Sequence, residues 1–132
     1  MNIFSNLDNK FRLLDYSISH GQMVIRSMQN KTRDYNIDIY FRGVSFLIIP
    51  EVFEGLGISL CELISEKTPL IEKYGLIDDS NYKIFSLNSS TKNNYYVNAM
   101  GLSVYHNKCD ILETSIGRYD WGDLDERVFF FK

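Results

Sequence analysis

The chain has 132 residues and a mass of 15.4 kDa, is 45% hydrophobic and 23% charged, and contains only two prolines. Such a chain can bury roughly two-thirds of its unfolded surface around one core, which excludes the disordered and collagen-like classes. A net charge of −3, a pI near 5.3 and the lack of any Lys/Arg run speak against a nucleic-acid footprint, which needs a basic patch or stripe.

Nine Tyr and nine Phe favour pleated, half-buried surfaces and so a sheet-rich fold. Cys61 and Cys109 are the only cysteines, and the first residues, MNIFSNLDNKFR, lack the basic start and the apolar stretch of about 7–15 residues found in a secretory signal. The expectation is a cytoplasmic protein with reduced thiols. No apolar run approaches the roughly 20 residues needed to span a bilayer, so no membrane role is expected.

In chain order, residues 1–12 show no clear period and are expected to form a short helix or an irregular lead-in. A hairpin is predicted next, with Leu14, Tyr16 and Ile18 alternating with Asp15, Ser17 and Ser19. His20 and Gly21 make its tight turn, and residues 22–28 return. A two-residue loop sets Ile18 opposite Met23, Tyr16 opposite Ile25 and, on the other face, Asp15 opposite Arg26.

Residues 29–34, QNKTRD, read as a polar loop into YNIDIYFRGVSFLIIP, the central strand region. Alternation assigns Ile37, Ile39 and Phe41 to the core and Asn36, Asp38, Tyr40 and Arg42 to water. Gly43 changes the pattern; Val44 and the apolar residues up to Ile49 are expected to be covered on both faces or to cross a sheet edge, and Pro50 ends the run.

In EVFEGLGI, Gly55 and Gly57 mark a tight excursion, since the glycine spacing and the Lys-Ser or Lys-Thr pair of a phosphate cradle are missing. Residues 59–64 read as another strand. Thr68 as N-cap, Pro69 as first residue and Gly75 as stop predict a helix near 69–74. Residues 82–87 form a strand and 88–94 a solvated loop. Residues 95–107 form a long strand with a bulge at Gly101, and Asn107-Lys108 turns into a partner strand over 109–116. Residues 128–131 are expected to dock against the core, because an exposed strand of that kind invites aggregation.

These elements make a single, mainly β domain over residues 1–132, all-β or β-rich α+β. Its antiparallel sheets are expected to pack as a sandwich or partly closed barrel, with one short helix near 69–74.

Catalytic chemistry finds few convergent groups. His106 and Cys109 are three apart, a spacing that on a strand or turn does not aim an imidazole at a thiol. Two Cys and two His lack the paired spacing of a zinc site. The segment DWGDLDE is rich in carboxylates but lacks the alternate-position aspartates and central glycine of a calcium loop. A carboxylate pair for glycoside hydrolysis depends on spacing in space, and a chain this small offers little room for a sugar cleft. No enzyme activity, cofactor or metal is expected.

Residues 110–126 hold six acidic side chains against the single Arg118, a net of −5, whereas residues 1–42 carry +2. The acidic stretch also contains the only tryptophan, Trp121, beside Tyr119. Aromatic anchors ringed by charge recur at protein interfaces, so Tyr119, Asp120, Trp121, Asp123, Asp125 and Glu126 are the candidate partner-binding residues. The alternative is a small-ligand or carbohydrate-binding β barrel with a cavity lined by Tyr and Phe.

NIDIYFRGVSFLIIP with the following GLGI, and YKIFSL further on, resembles the pattern of small bacterial proteins without known catalytic activity, some of them similar to immunity proteins that neutralise secreted toxins. The resemblance extends over roughly residues 13–105 and includes no signature motif. It implies a protein that binds and occludes a partner, for which an acidic surface would suit a basic toxin.

Overall fold

A computed structural model of the chain describes residues 2–91, 95–116 and 126–131, the last group in its backbone. Among the described residues are nine strands, β1 (Asn2–Ser17), β2 (Gln22–Ser27), β3 (Asn36–Arg42), β4 (Phe46–Ile48), β5 (Val52–Leu60), β6 (Lys83–Asn88), β7 (Tyr95–Ala99), β8 (Gly101–Asn107) and β9 (Glu126–Phe131), and one helix, α1 (Ile64–Tyr74). The strands form a single antiparallel sheet in the order β4-β7-β6-β5-β1-β2-β3-β8-β9, with β4 and β9 at its two ends, so it is not closed into a barrel.

The sheet folds over on itself. Phe41 of β3 and Phe85 of β6 are four places apart in strand order, yet their rings meet edge to face at 5.7 Å between centroids. β1 makes the fold possible, because its first part pairs with β5 and its last part with β2. Register shifts between Asn6 and Lys10 and between Leu13 and Asp15 bend it, as bulges do. Gly55 supports the first shift: it has φ +80°, and a Cβ there would meet the Leu7 backbone at 2.8 Å.

Two further crossings run side by side at the opposite corner. Gly43 and Val44 carry the chain from β3 towards β4, and Met100 carries it from β7 to β8. Met100 donates its N–H to Arg42 at 3.0 Å, Ser45 to Asn98 at 2.8 Å and Val44 to Gly21 at 2.8 Å. The two halves of the sheet thus enclose one core that includes Phe11, Met23, Ile39, Phe41, Phe53 and Phe85, all of them fully buried. The expected sandwich takes the form of one continuous sheet doubled over.

A smaller apolar cluster lies outside β6 and β7. Leu70, Ile71 and Tyr74 of α1 pack over Cys61, Leu76 and Ile84, with Tyr74 against Phe46 at 5.0 Å. Asn98 pins the segment after the helix, accepting from the Ile77 N–H at 2.8 Å and donating to the Ile77 carbonyl at 2.9 Å. No helix among the described residues is long and apolar enough to cross a membrane.

Several sequence expectations are corrected. Residues 2–12 belong to β1, because pairing with β5 outweighs their weak periodicity. The first hairpin closes through a four-residue loop, with Ser17 opposite Gln22 and Tyr16 opposite Met23. Asp15 therefore faces Val24 and Arg26 faces Arg12. Residues 52–60 are one strand, its glycines making close approaches within the ladder rather than ending it.

The helix begins at Ile64, so Pro69 lies inside it, and only the stop at Gly75 (φ 66°) falls as expected. The long strand over 95–107 breaks at Met100 into β7 and β8. Residues 109–116 form a loop with a turn at Ile111 and Leu112 rather than a strand, and the ladder on β8 is completed by β9 instead. Phe41 sits at the meeting of the two halves, and Phe41→Ala is expected to cost about 3–5 kcal/mol in urea denaturation; a loss below about 1 kcal/mol would show that the halves do not depend on this contact.

Candidate functional site

Tyr119, Asp120, Trp121, Asp123 and Asp125 lie outside the described residues. Glu126 opens β9, where its backbone is the cross-strand partner of His106. On the other flank, Ser115 is fully buried and its hydroxyl donates to Asp38 Oδ2 at 2.6 Å. Asp38 is in turn the partner of Tyr105, the residue before His106 on β8. Ser115 and Glu126, on either side in sequence of the candidate residues 119–125, are thereby tied to neighbouring rows of β3 and β8.

What fixes them is a buried polar cluster on the face of β3 that alternation assigned to water. Asn36, Asp38 and Arg26 are 0% exposed and Asn107 is 3% exposed. Arg26 Nε donates to Asp38 Oδ1 at 2.6 Å and Nη2 to Oδ2 at 2.9 Å, a two-pronged ion pair. Nη1 reaches the carbonyls of Asp110, Ile111 and Glu113 at 3.1, 3.2 and 2.7 Å. Asn107 Nδ2 donates to Asp38 Oδ2 at 2.8 Å, and Asn36 Nδ2 donates to Asn107 Oδ1 at 3.0 Å and to the Cys109 carbonyl at 2.9 Å.

A charge removed from water is tolerable only when paired and hydrogen-bonded, and this one is both. The loop over 109–116 covers the sheet because its carbonyls are ligands of Arg26. The expected pairing of Asp15 with Arg26 is replaced by a hydrogen bond from Thr114 to Asp15 Oδ2 at 2.6 Å, a second tether of the same loop.

Sequence reasoning placed none of this cluster in a functional or anchoring role. The available signal was register. A loop over 29–34 sets Arg26 opposite Ile37; the observed register is one residue longer on the β3 side and makes Arg26 and Asp38 direct partners across β2 and β3.

Other candidate groups are distributed through the fold. The His106 ring stacks on Tyr35 at 4.4 Å, while Cys109 lies in the covering loop, buried, with its N–H donated to Asn107 Oδ1 at 3.2 Å. Both cysteines are free thiols. Burial, and then the nearby Glu66 carboxylate, push the Cys61 thiol up; burial, followed by Cys61, does the same to the Tyr96 hydroxyl. Among the described residues no group of three or more His, Cys, Asp or Glu side chains is arranged to hold a metal ion.

The interior that a ligand-binding barrel would keep open is filled by Phe11, Phe41, Phe53 and Phe85. Among the described residues, concavities outside it include the following pair. One, of about 500 Å³, runs between β1 and the β4–β5 turn, with Leu13, Leu47, Ile49 and Pro50 as walls and Asp15 and Glu51 also lining it. The other, of about 300 Å³, opens beside Arg12. Comparison with known proteins finds no match for this chain: no family model, no curated protein and no solved structure is significantly similar to it.

Two outcomes follow from these contacts. Arg26→Met strands Asp38 without its buried counter-charge and is expected to cost about 3–5 kcal/mol, with faster amide exchange in residues 111–115. Adding Asp38→Leu restores only part of this, because three carbonyls and the Asn107 and Ser115 donors remain without partners; full restoration would refute the anchoring role. For Cys61, the unfolded thiol loses its proton before the folded one. Its contribution to stability is therefore present below the ordinary thiol range and lost as pH rises through the raised one. Denaturation midpoints should fall on the alkaline side, and less steeply in Cys61→Ala.

Proposed function

We propose that this chain is a non-enzymatic, cytoplasmic binding domain that captures a basic protein through Tyr119, Asp120, Trp121, Asp123, Asp125 and Glu126, in the manner of an immunity protein that occludes a toxin. What supports the reading is the acidic and aromatic composition of residues 119–126, which in sequence follow Ser115 and end at Glu126. Ser115 is held by the buried Asp38, and Glu126 is paired to β8.

Binding residues are commonly carried between rigid elements of a scaffold, which lowers the ordering cost of association. Carboxylates near an aromatic anchor supply a field for a cationic surface, which steers encounter and selects against acidic partners. The resemblance to toxin-neutralising proteins agrees with this chemistry.

The test is capture from a lysate of the source cells by the immobilised chain, with captured proteins identified by mass spectrometry. The wild-type chain is expected to retain a basic protein, and the triple variant Asp120→Asn, Asp123→Asn, Asp125→Asn to lose most of it while keeping its melting temperature. Equal capture by both would remove the acidic segment from the site. A captured protein encoded immediately beside this chain and toxic on its own would identify it as the neutralised partner.

A further inference from the structure

One row of the polar face carries a positive charge that nothing among the described residues answers. Across β1, β2 and β3 the row runs Arg12, Arg26, Asp38, each the direct cross-strand partner of the next. Direct partners project from the same face, so the two arginine side chains stand side by side, an arrangement that destabilises a sheet unless a counter-charge is near. Asp38 supplies that counter-charge to Arg26. On its other side Arg12 meets only Val52 of β5. Among the described residues the Arg12 guanidinium has no hydrogen-bond or ion-pair partner.

Arg12 instead borders the cavity of about 300 Å³, whose other lining residues include Lys10, Met28, Gln29 and Asn30 and no carboxylate. Lys10 adds a second positive charge, itself 3.5 Å from Glu54 and exposed to water. Asn30 adds a neutral donor. Its Oδ1 accepts from the Thr32 N–H, the Thr32 hydroxyl and the Arg33 N–H at 2.9, 2.8 and 3.0 Å, and its Nδ2 has no acceptor among the described residues. Met28 and the aliphatic stems of Lys10 and Arg12 provide apolar wall. The volume lies at the small end of the range for ligand cavities.

We infer that this cavity binds a small organic carboxylate, with its headgroup on Arg12 and Asn30 and its apolar body against Met28. The guanidinium fork matches a carboxylate with two parallel hydrogen bonds, as Arg26 already does with Asp38. The ligand is to Arg12 what Asp38 is to Arg26. The site is independent of the acidic segment and stands whether or not a protein partner exists.

The test uses the full chain with benzoate as the probe, benzamide as its neutral match and inorganic phosphate as a compact anion. Binding is read from amide chemical shifts and from the rise in melting temperature. Benzoate is expected to shift the amides of residues 9–12 and 27–30 saturably. Arg12→Gln should weaken that binding about tenfold or more while leaving the unliganded melting temperature equal or higher, because the like-charge pair is gone.

Arg12→Lys should fall between the two, keeping the charge without the fork. Asn30→Ala, in an exposed loop, provides a second variant that does not touch the ladder and should also weaken benzoate. No saturable shift with benzoate, equal binding of benzamide, or unaltered benzoate binding in Arg12→Gln would each overturn the site. Phosphate binding in place of benzoate would overturn the ligand class.

Discussion

Arg26 and Asp38 face each other across β2 and β3 with neither side chain in contact with water, and the polar half of the molecule is arranged to keep them so. An ion pair at this depth contributes little by itself, because the desolvation of two charges roughly offsets their attraction. Its weight lies in what it forbids. Any conformation that lifts residues 109–116 from the sheet takes three carbonyl ligands from Arg26 and the Ser115 hydroxyl from Asp38. The cluster therefore acts as a specificity device for loop position, with the doubled sheet as the rigid body to which the loop is fixed.

The same logic appears on the opposite outer face in a milder, uncharged form. There Asn98, 1% exposed, holds the segment after α1 through both of its amide atoms and also donates to the Lys83 carbonyl at 2.8 Å. Each half of the sheet thus carries one buried polar anchor on its outer surface, and each anchor holds an irregular segment that would otherwise have few reasons to stay. The apolar core between the halves sets the architecture, and the polar anchors set where the connections lie.

Much of the architecture was legible in the sequence. The period-two patterns of β3, β6 and β8 are read directly from Ile37, Ile39 and Phe41, from Phe85 and Leu87, and from Leu102 and Val104, since their inward faces are uninterrupted. What was not legible depends on partners distant in sequence. Asn36 and Asp38 look like residues of a solvated face until a loop some seventy positions later covers them, as the 2.9 Å bond from Asn36 to the Cys109 carbonyl shows. β1 lacks a clean period because it serves two neighbours through three register shifts, each of which breaks the strict alternation of faces. Pro69 misled for a related reason: local preference places proline at a helix start, whereas packing of Leu70, Ile71 and Tyr74 draws the helix back to Ile64. Of the candidate site, its acidic character was legible and its anchoring was not.

The long reach of the covering loop also bears on the order of assembly. Strands β1, β2 and β3 are joined by short loops and can pair early, whereas Asn36 finds Asn107 only across 71 positions. Pairing over such separations is slow, because the entropy of closing a long loop is lost before the contacts that reward it can form. Until residues 109–116 arrive, Arg26 and Asp38 are expected to be a hydrated surface pair, with their desolvation late in folding. In kinetic language, the cost of burying a charge is deferred to the step at which all of its ligands are delivered together. A nascent chain without that loop keeps an open, water-wetted outer face over β2 and β3, and the polarity of that face limits strand-on-face association while the rest of the chain is being made.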